Sequence, residues 1–174
     1  MELDFNKGKT VYVIDTSGLI LLDFIFKKNN PVFEAIWEEI EELITQDRFK
    51  TIDFVEVEIN SYEGKEDFLK KWIKNWKKVL VESVDSQILN TAIPIINEEY
   101  DTGFFDAKKL AVGKEEADPY LIAYCKVHNY TLITNENPNK PNKIPAVSKK
   151  NGVRCIDIFK FLNERELKIV RKQE

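Results

Sequence analysis

Apolar residues along this chain recur at two spacings, one suited to strands and one to helices, and the two alternate. Thr10–Ile14 is a short, nearly unbroken β-forming run that stops at Asp15. Such a run fits a strand buried on both faces, as in a parallel sheet. Apolar residues then return at helical steps over Ser17–Phe26, with Thr16 or Ser17 available as the cap. Asn29-Asn30-Pro31 is a break. Val32–Gln46 predicts an amphipathic helix, with Phe33, Ile36, Trp37, Ile40, Leu43 and Ile44 on one face and glutamates on the other.

The alternation continues with a second strand at Phe49–Asp53 and a helix over Phe54–Tyr62, where Val55 and Val57 leave an extended strand open. Lys65–Lys78 predicts a basic helix with Phe68, Leu69, Trp72, Ile73 and Trp76 along one side. Val79–Val84 suits a third strand, and Gln87–Glu99 a helix that Pro94 bends or splits. Asp101–Val112 reads as a loop with a short helix, and Pro119–Val127 as a helix with Asp118 just before it. Thr131–Thr134 is a strand, Asn135–Ser148 an irregular loop rich in Asn, Pro and Lys, Gly152–Ile156 a last strand and Ile158–Leu167 a last helix. Met1–Lys9 is a polar lead-in and Lys168–Glu174 a charged tail. Strands alternating with helices predict βαβ units and a mostly parallel sheet.

Composition narrows the chemistry. At 174 residues one domain over residues 1–174 is expected, large enough for a core without staples. No stretch approaches the roughly 20 apolar residues of a membrane span, and the acidic start Met1–Phe5 has no apolar signal core. Cys125 and Cys155 are the only cysteines and His128 the only histidine, which excludes a Cys/His zinc site. A Ser-His-Asp site would need His128, which reads instead as a helix-end residue. A reduced, cytoplasmic setting is expected. The net charge of −4 does not advertise nucleic-acid binding, although an acidic cluster lowers the total while leaving room for a basic face.

The acidic residues acquire meaning from the topology. Crossover helices in a right-handed parallel sheet start at the carboxyl ends of the strands. Asp15 ends the first strand, Glu58 lies in the first turns after the second, Asp118 opens the helix before the Thr131–Thr134 strand, and Glu136 follows that strand. All four fall on one edge of the sheet, where open α/β sheets put their ligands. Carboxylates gathered there repel unless a cation neutralises them or some take up protons. Oxygen-only ligation favours Mg²⁺ or Mn²⁺. Each residue also has a plain reading. Asp15 and Asp118 are good helix caps, Glu58 could be a solvated residue with Glu56 the inward one, and Glu136 could be a loop acid.

On these residues the chain resembles the PIN-domain (PilT N-terminus) nuclease family over nearly its whole length. The resemblance rests on Val-Ile-Asp15-Thr-Ser, Val-Glu-Val-Glu58-Ile, Ala-Asp118-Pro-Tyr-Leu-Ile-Ala and Thr-Leu-Ile-Thr134-Asn-Glu136. Ile144-Pro145 and the segment with Phe161, Leu162 and Arg165 resemble an uncharacterised PIN-like branch. The resemblance implies a three-layer α/β/α sandwich with a central, mostly parallel sheet. It also implies a metal-dependent endoribonuclease that hydrolyses phosphodiester bonds, with Asp15, Glu58, Asp118 and Glu136 as catalytic and metal-holding residues. The family pattern at the fourth position is commonly Thr-x-Asp; the longer Glu136 points to contact with the metal through water. The family further implies the toxin of a toxin–antitoxin pair, an antitoxin-like protein partner and a homodimer.

Supporting roles fall to Thr16 or Ser17, to orient Asp15 or a water, and to Thr134. Lys140, Lys143, Lys149 and Lys150 form a basic group near the acidic edge that would steer the phosphates of an RNA substrate. The lysines of Lys65–Lys78 read instead as the solvated face of a helix whose aromatics enter the core. A different class, a non-catalytic RNA- or protein-binding module on the same fold, is the alternative. A haloacid-dehalogenase-type phosphatase is disfavoured, because Ser17 stands where that chemistry needs a second Asp.

Overall fold

The unbroken apolar run of the first strand sets the layer structure. In the computed structural model, which describes residues 10–62, 67–106, 108–109 and 116–168, β1 is Tyr12–Ile14. Successive strand residues point to opposite faces. Tyr12, Val13 and Ile14 are nevertheless all buried, so both faces of the sheet are covered. The other strands are β2 (Phe49–Ile52), β3 (Val81–Glu82), β4 (Thr131–Ile133) and β5 (Cys155–Ile156). Among the described residues they form a five-stranded sheet in the order β3-β2-β1-β4-β5, every pair parallel. This is the three-layer α/β/α, PIN-like architecture expected from the sequence.

The covering helices are α1 (Thr16–Ile25), α2 (Glu34–Thr45), α3 (Asp53–Ser61), α4 (Asp67–Leu80), α5 (Ser86–Glu99), α6 (Asp118–His128), α7 (Ile144–Lys150) and α8 (Ile158–Glu164). The break at Asn29-Asn30-Pro31 becomes a 3₁₀ turn, Pro31–Phe33, capped by Asn30. Helix α2 buries Ile36, Trp37, Ile40, Leu43 and Ile44, the face its periodicity marks. Helix α4 turns Leu69, Trp72 and Ile73 inward and leaves most of its lysines exposed. Two of those lysines are tied locally, Lys70 to the Tyr62 carbonyl and Lys77 to Glu56.

Three boundaries differ from expectation. The region Asn135–Ser148 is not loop throughout, because α7 begins at Ile144. Lys143 makes no side-chain cap there; the Ile144 N–H instead donates to Glu136 Oε2 at 2.7 Å. A cap eight residues back leaves no local signature. The third strand shrinks to two residues because α4 runs on to the buried Leu80. Asp118 is helical rather than a cap: Ala117 holds the cap position and no side chain fills it. Pro94 lies inside α5 without ending it. The lead-in 1–9, Lys65 of the basic helix, residues 107 and 110–112 of the expected loop, and 169–174 of the tail lie outside the described residues.

Trp37 joins the N-terminal helices to α4. It is 1% exposed. Its Nε1–H donates to the Phe26 carbonyl at 2.5 Å, and its ring meets Phe68 and Trp72 edge-on at 5.3 and 5.4 Å. Trp37→Ala removes packing and leaves that carbonyl unpaired. The expected loss is about 3–5 kcal/mol of stability, measured by chemical denaturation.

Candidate functional site

The pairing of β1 with β4 builds the site. Ile14 lies opposite Ile133, so the next residue of each strand, Asp15 and Thr134, emerge side by side at the carboxyl edge. Strand order reverses between these two strands, and that is where open α/β sheets form their ligand crevice. Asp15 is 3% exposed and caps α1. Its carboxylate accepts from the Gly18 N–H at 2.6 Å, from Thr134 Oγ1 at 2.6 Å and from Ser17 Oγ at 2.8 Å. Three donors satisfy the oxygens, yet none carries charge. Burial therefore prevails over the hydrogen bonds and pushes the Asp15 pKa up to about 6.

Asp118, in the first turn of α6, faces the same space. Among the described residues no donor is hydrogen-bonded to its carboxylate. Burial first, and then the charges of Asp15, Glu136, Glu58 and Glu116, raise its pKa well above the ordinary carboxylate range. The side chain keeps some surface toward the cavity, but the protein closes around it on the other sides.

The glutamates are held differently. Glu58, from the second turn of α3, accepts a short hydrogen bond from Thr16 Oγ1 and one from the Ala117 N–H at 3.4 Å. It thereby links α1, α3 and the entry to α6. Lys109 Nζ lies 3.6 Å from Glu58 Oε1 and 2.9 Å from Glu116 Oε1. Glu136 accepts from Lys143 Nζ at 2.8 Å as well as from Ile144. Its own N–H donates to Thr134 Oγ1 at 3.1 Å, which returns the loop to Asp15.

Asp15, Glu58, Glu116, Asp118, Glu136 and the two lysines line a cavity of about 390 Å³ together with Gly103, Phe104 and Phe105. The four acids read from the sequence all line it, and Glu58 rather than Glu56 is the inward one, since Glu56 turns to Lys77. Ser17 and Thr134 hold Asp15, and Thr16 holds Glu58. Of the four lysines read as phosphate-steering, only Lys143 lines the cavity. Lys150 is paired at 2.6 Å with the buried Glu99, while Lys140 and Lys149 lie exposed. His128 ends α6 and packs against Tyr124 and Tyr130.

Residues of the site that were not read from the sequence include Gly18, Asp106, Lys109 and Glu116. The acidic run Glu115-Glu116 just before Asp118 was a visible signal. Lys109 offered none, because its role depends on a turn whose contacts are long-range. Gly18 is required by close approach. A Cβ there would meet Ile14 Cγ1 at 2.9 Å and Asp15 Oδ1 at 3.0 Å.

Comparison with known proteins identifies the chain's family. A family model described as "Domain of unknown function (DUF4411)" matches residues 12–169. The chain belongs to that family. A search of curated proteins finds no match. Among solved structures, DNA-bound VapBC from Salmonella typhimurium is 18% identical, with a TM-score of 0.53, over 85% of this chain and 98% of that one. VapBC-1 from nontypeable Haemophilus influenzae is 17% identical, with a TM-score of 0.50, over 85% and 98%. PAE2754 from Pyrobaculum aerophilum is 11% identical, with a TM-score of 0.50, over 91% and 97%. These likenesses establish the shared PIN-like fold of this DUF4411 chain.

As arranged, no three Asp, Glu, His or Cys side chains among the described residues converge tightly enough to grip an ion. Lys109 is paired with Glu58 and Glu116, and Lys143 with Glu136. The donor set is suited to a hard divalent cation, being all carboxylate oxygen around the buried Asp15 and the half-buried Asp118, neither of which is ion-paired among the described residues.

The raised pKa values make stability depend on pH. In metal-free protein, folded Asp15 keeps a proton that the unfolded chain has released between about pH 4 and pH 6. That contribution is complete below the ordinary carboxylate range and is lost as pH rises through 6; Asp118 acts in the same direction. With chelator present, stability is expected to fall from pH 5 to pH 8. Asp118→Asn is expected to be more stable than wild type at pH 8, read from denaturation curves across that range. Gly18→Ala is expected to cost about 1–3 kcal/mol through overpacking, in the same assay.

Proposed function

We propose that this chain is a divalent-metal-dependent endoribonuclease that hydrolyses phosphodiester bonds, using Mg²⁺ or Mn²⁺ held by Asp15, Glu58, Asp118 and Glu136. The observation that carries the reading is Asp118: a carboxylate enclosed beside Asp15 and three glutamates, with no donor or cation from the described residues paired to it. An arrangement that disfavours charge on an empty site favours a cation in it. A bound ion would lower the pKa of a water and neutralise charge on the scissile phosphate.

The chain's own groups prepare that site. Gly18, Ser17 and Thr134 fix both oxygens of Asp15. Thr16 fixes Glu58. Glu136 is anchored to the start of α7, which suits contact through a water better than direct ligation. Lys143 stands at the cavity, able to meet a phosphate oxygen. The Gly18 N–H is taken by Asp15, so any phosphate at the start of α1 would rely on the preceding N–H groups. No protein nucleophile is needed.

By family resemblance we assign the toxin role of a toxin–antitoxin pair, with RNA as substrate, an antitoxin-like protein as partner and a homodimer as the working form. We take residues 1–174 as one domain. No helix among the described residues is long and apolar enough to cross a membrane, and we assign the protein to the cytoplasm.

A second reading, a non-catalytic RNA- or protein-binding module, is supported by the pairing of Glu58, Glu116 and Glu136 with Lys109 and Lys143. One experiment separates the two. Labelled RNAs and single-stranded DNAs are incubated with purified protein in Mg²⁺, Mn²⁺ or chelator. Cleavage is expected only with metal, on RNA, and Asp15→Asn and Asp118→Asn are each expected to lower it about 100-fold or more, since even residues that merely orient metal ligands cost up to that much. No cleavage, with Mn²⁺ bound equally poorly by wild type and variants, would establish the binding module.

A further inference from the structure

Six carboxylates line the cavity, Asp15, Glu58, Asp106, Glu116, Asp118 and Glu136, and they are not compensated alike. Asp15 is held by neutral donors only, and Asp118 by none among the described residues. Two lysines line the cavity: Lys143 is paired with Glu136 at 2.8 Å, and the ammonium of Lys109 bridges Glu116 at 2.9 Å and Glu58 at 3.6 Å. The turn that carries it is built for the purpose. Asp106 accepts from the backbone N–H groups of Lys108 and Lys109 at 2.7 and 3.3 Å. The Asp106 N–H in turn donates to Glu116 Oε2 at 3.0 Å. Burial works against the charge on Lys109, but the bond to Glu116 and the charges of Glu58, Glu116 and Asp118 outweigh it.

We propose that Lys109 is the site's built-in counterion, and that its ammonium and a divalent cation hold the Glu58 and Glu116 carboxylates in alternation. The inference rests on the metal-site reading above. A cation bound to either glutamate would stand within a few ångströms of the ammonium, and like charges at that range repel each other. Lys109 has somewhere to go, because its side chain is 36% exposed. Lys143 is a weaker competitor. Glu136 is also bonded by the Ile144 N–H, so loss of Lys143 would not release it. Glu116 thereby joins the cation site as a fifth acid.

The test is Mn²⁺ binding to the full chain by calorimetry, with thermal melts in chelator and in Mn²⁺. Lys109→Met removes the charge, Lys109→Arg keeps it, and Lys109→Gln keeps a donor for Glu116 without charge in case the Met variant does not fold. Lys109→Met and Lys109→Gln are expected to bind Mn²⁺ about ten-fold more tightly than wild type. They should melt lower in chelator and gain more from Mn²⁺, while Lys109→Arg binds like wild type or more weakly. Equal or weaker Mn²⁺ binding by Lys109→Met and Lys109→Gln, with wild type binding measurably, would overturn the proposal and leave the metal site standing. No Mn²⁺ binding by wild type or any variant would overturn the metal reading and the alternation with it.

Discussion

A carboxylate at 3% exposure needs its hydrogen bonds delivered from fixed positions, and the β1–β4 pairing delivers them here. The register sets Thr134 beside Asp15. The turn of chain after Asp15 brings Ser17 and the Gly18 N–H onto the same oxygens. That bonding fixes the first turn of α1, and with it Thr16, which holds Glu58 from another helix. A one-residue slip in this pairing would turn Thr134 to the other face and strip Asp15 of its shortest side-chain donor. The site is thus a consequence of sheet register before it is a collection of acids.

Charge is distributed within the site by side-chain length. Glu58 and Glu116 reach Lys109, and Glu136 reaches Lys143. The shorter aspartates reach no cation among the described residues, and the uncompensated charge falls on Asp15 and Asp118. Both respond as buried acids do, by holding protons more tightly. The lysines therefore stabilise the periphery of the cluster and leave its centre electrostatically unfinished. A fold optimised for stability alone would not keep that arrangement.

Much of this was legible in the sequence because it depends on local periodicity. The buried faces of α2 and α4, the strand ending at Asp15 and the order of the four acids follow from spacing and from the handedness of parallel crossovers. What could not be read depends on contacts between distant segments. Helix α7 is capped by Glu136 across a loop, so Asn135–Ser148 lacks a local start signal. Lys50, within β2, is 3% exposed and paired with Asp47 and Glu82 at 2.5 and 2.6 Å. Lys150 reads as a phosphate contact until the buried Glu99 is seen beside it. In each case a lysine's role is set by the carboxylate it meets in space.

Glu136 shows how one substitution carries both structure and chemistry. Where the resembling family commonly has Thr-x-Asp, this chain has Thr134-Asn135-Glu136. On the sequence alone, the additional methylene reads as longer reach toward a metal. In the fold, that reach is used to accept the Ile144 N–H at 2.7 Å and the Lys143 ammonium at 2.8 Å, while the backbone N–H returns to Thr134. The residue fastens the loop after β4 to the start of α7 and keeps its charge at the cavity edge, where it bears on both Asp15 and Asp118. A shorter Asp at this position would give up part of that fastening. The glutamate is therefore explained by the helix it starts as much as by any ion it faces, and α7 and the acidic site are coupled through it.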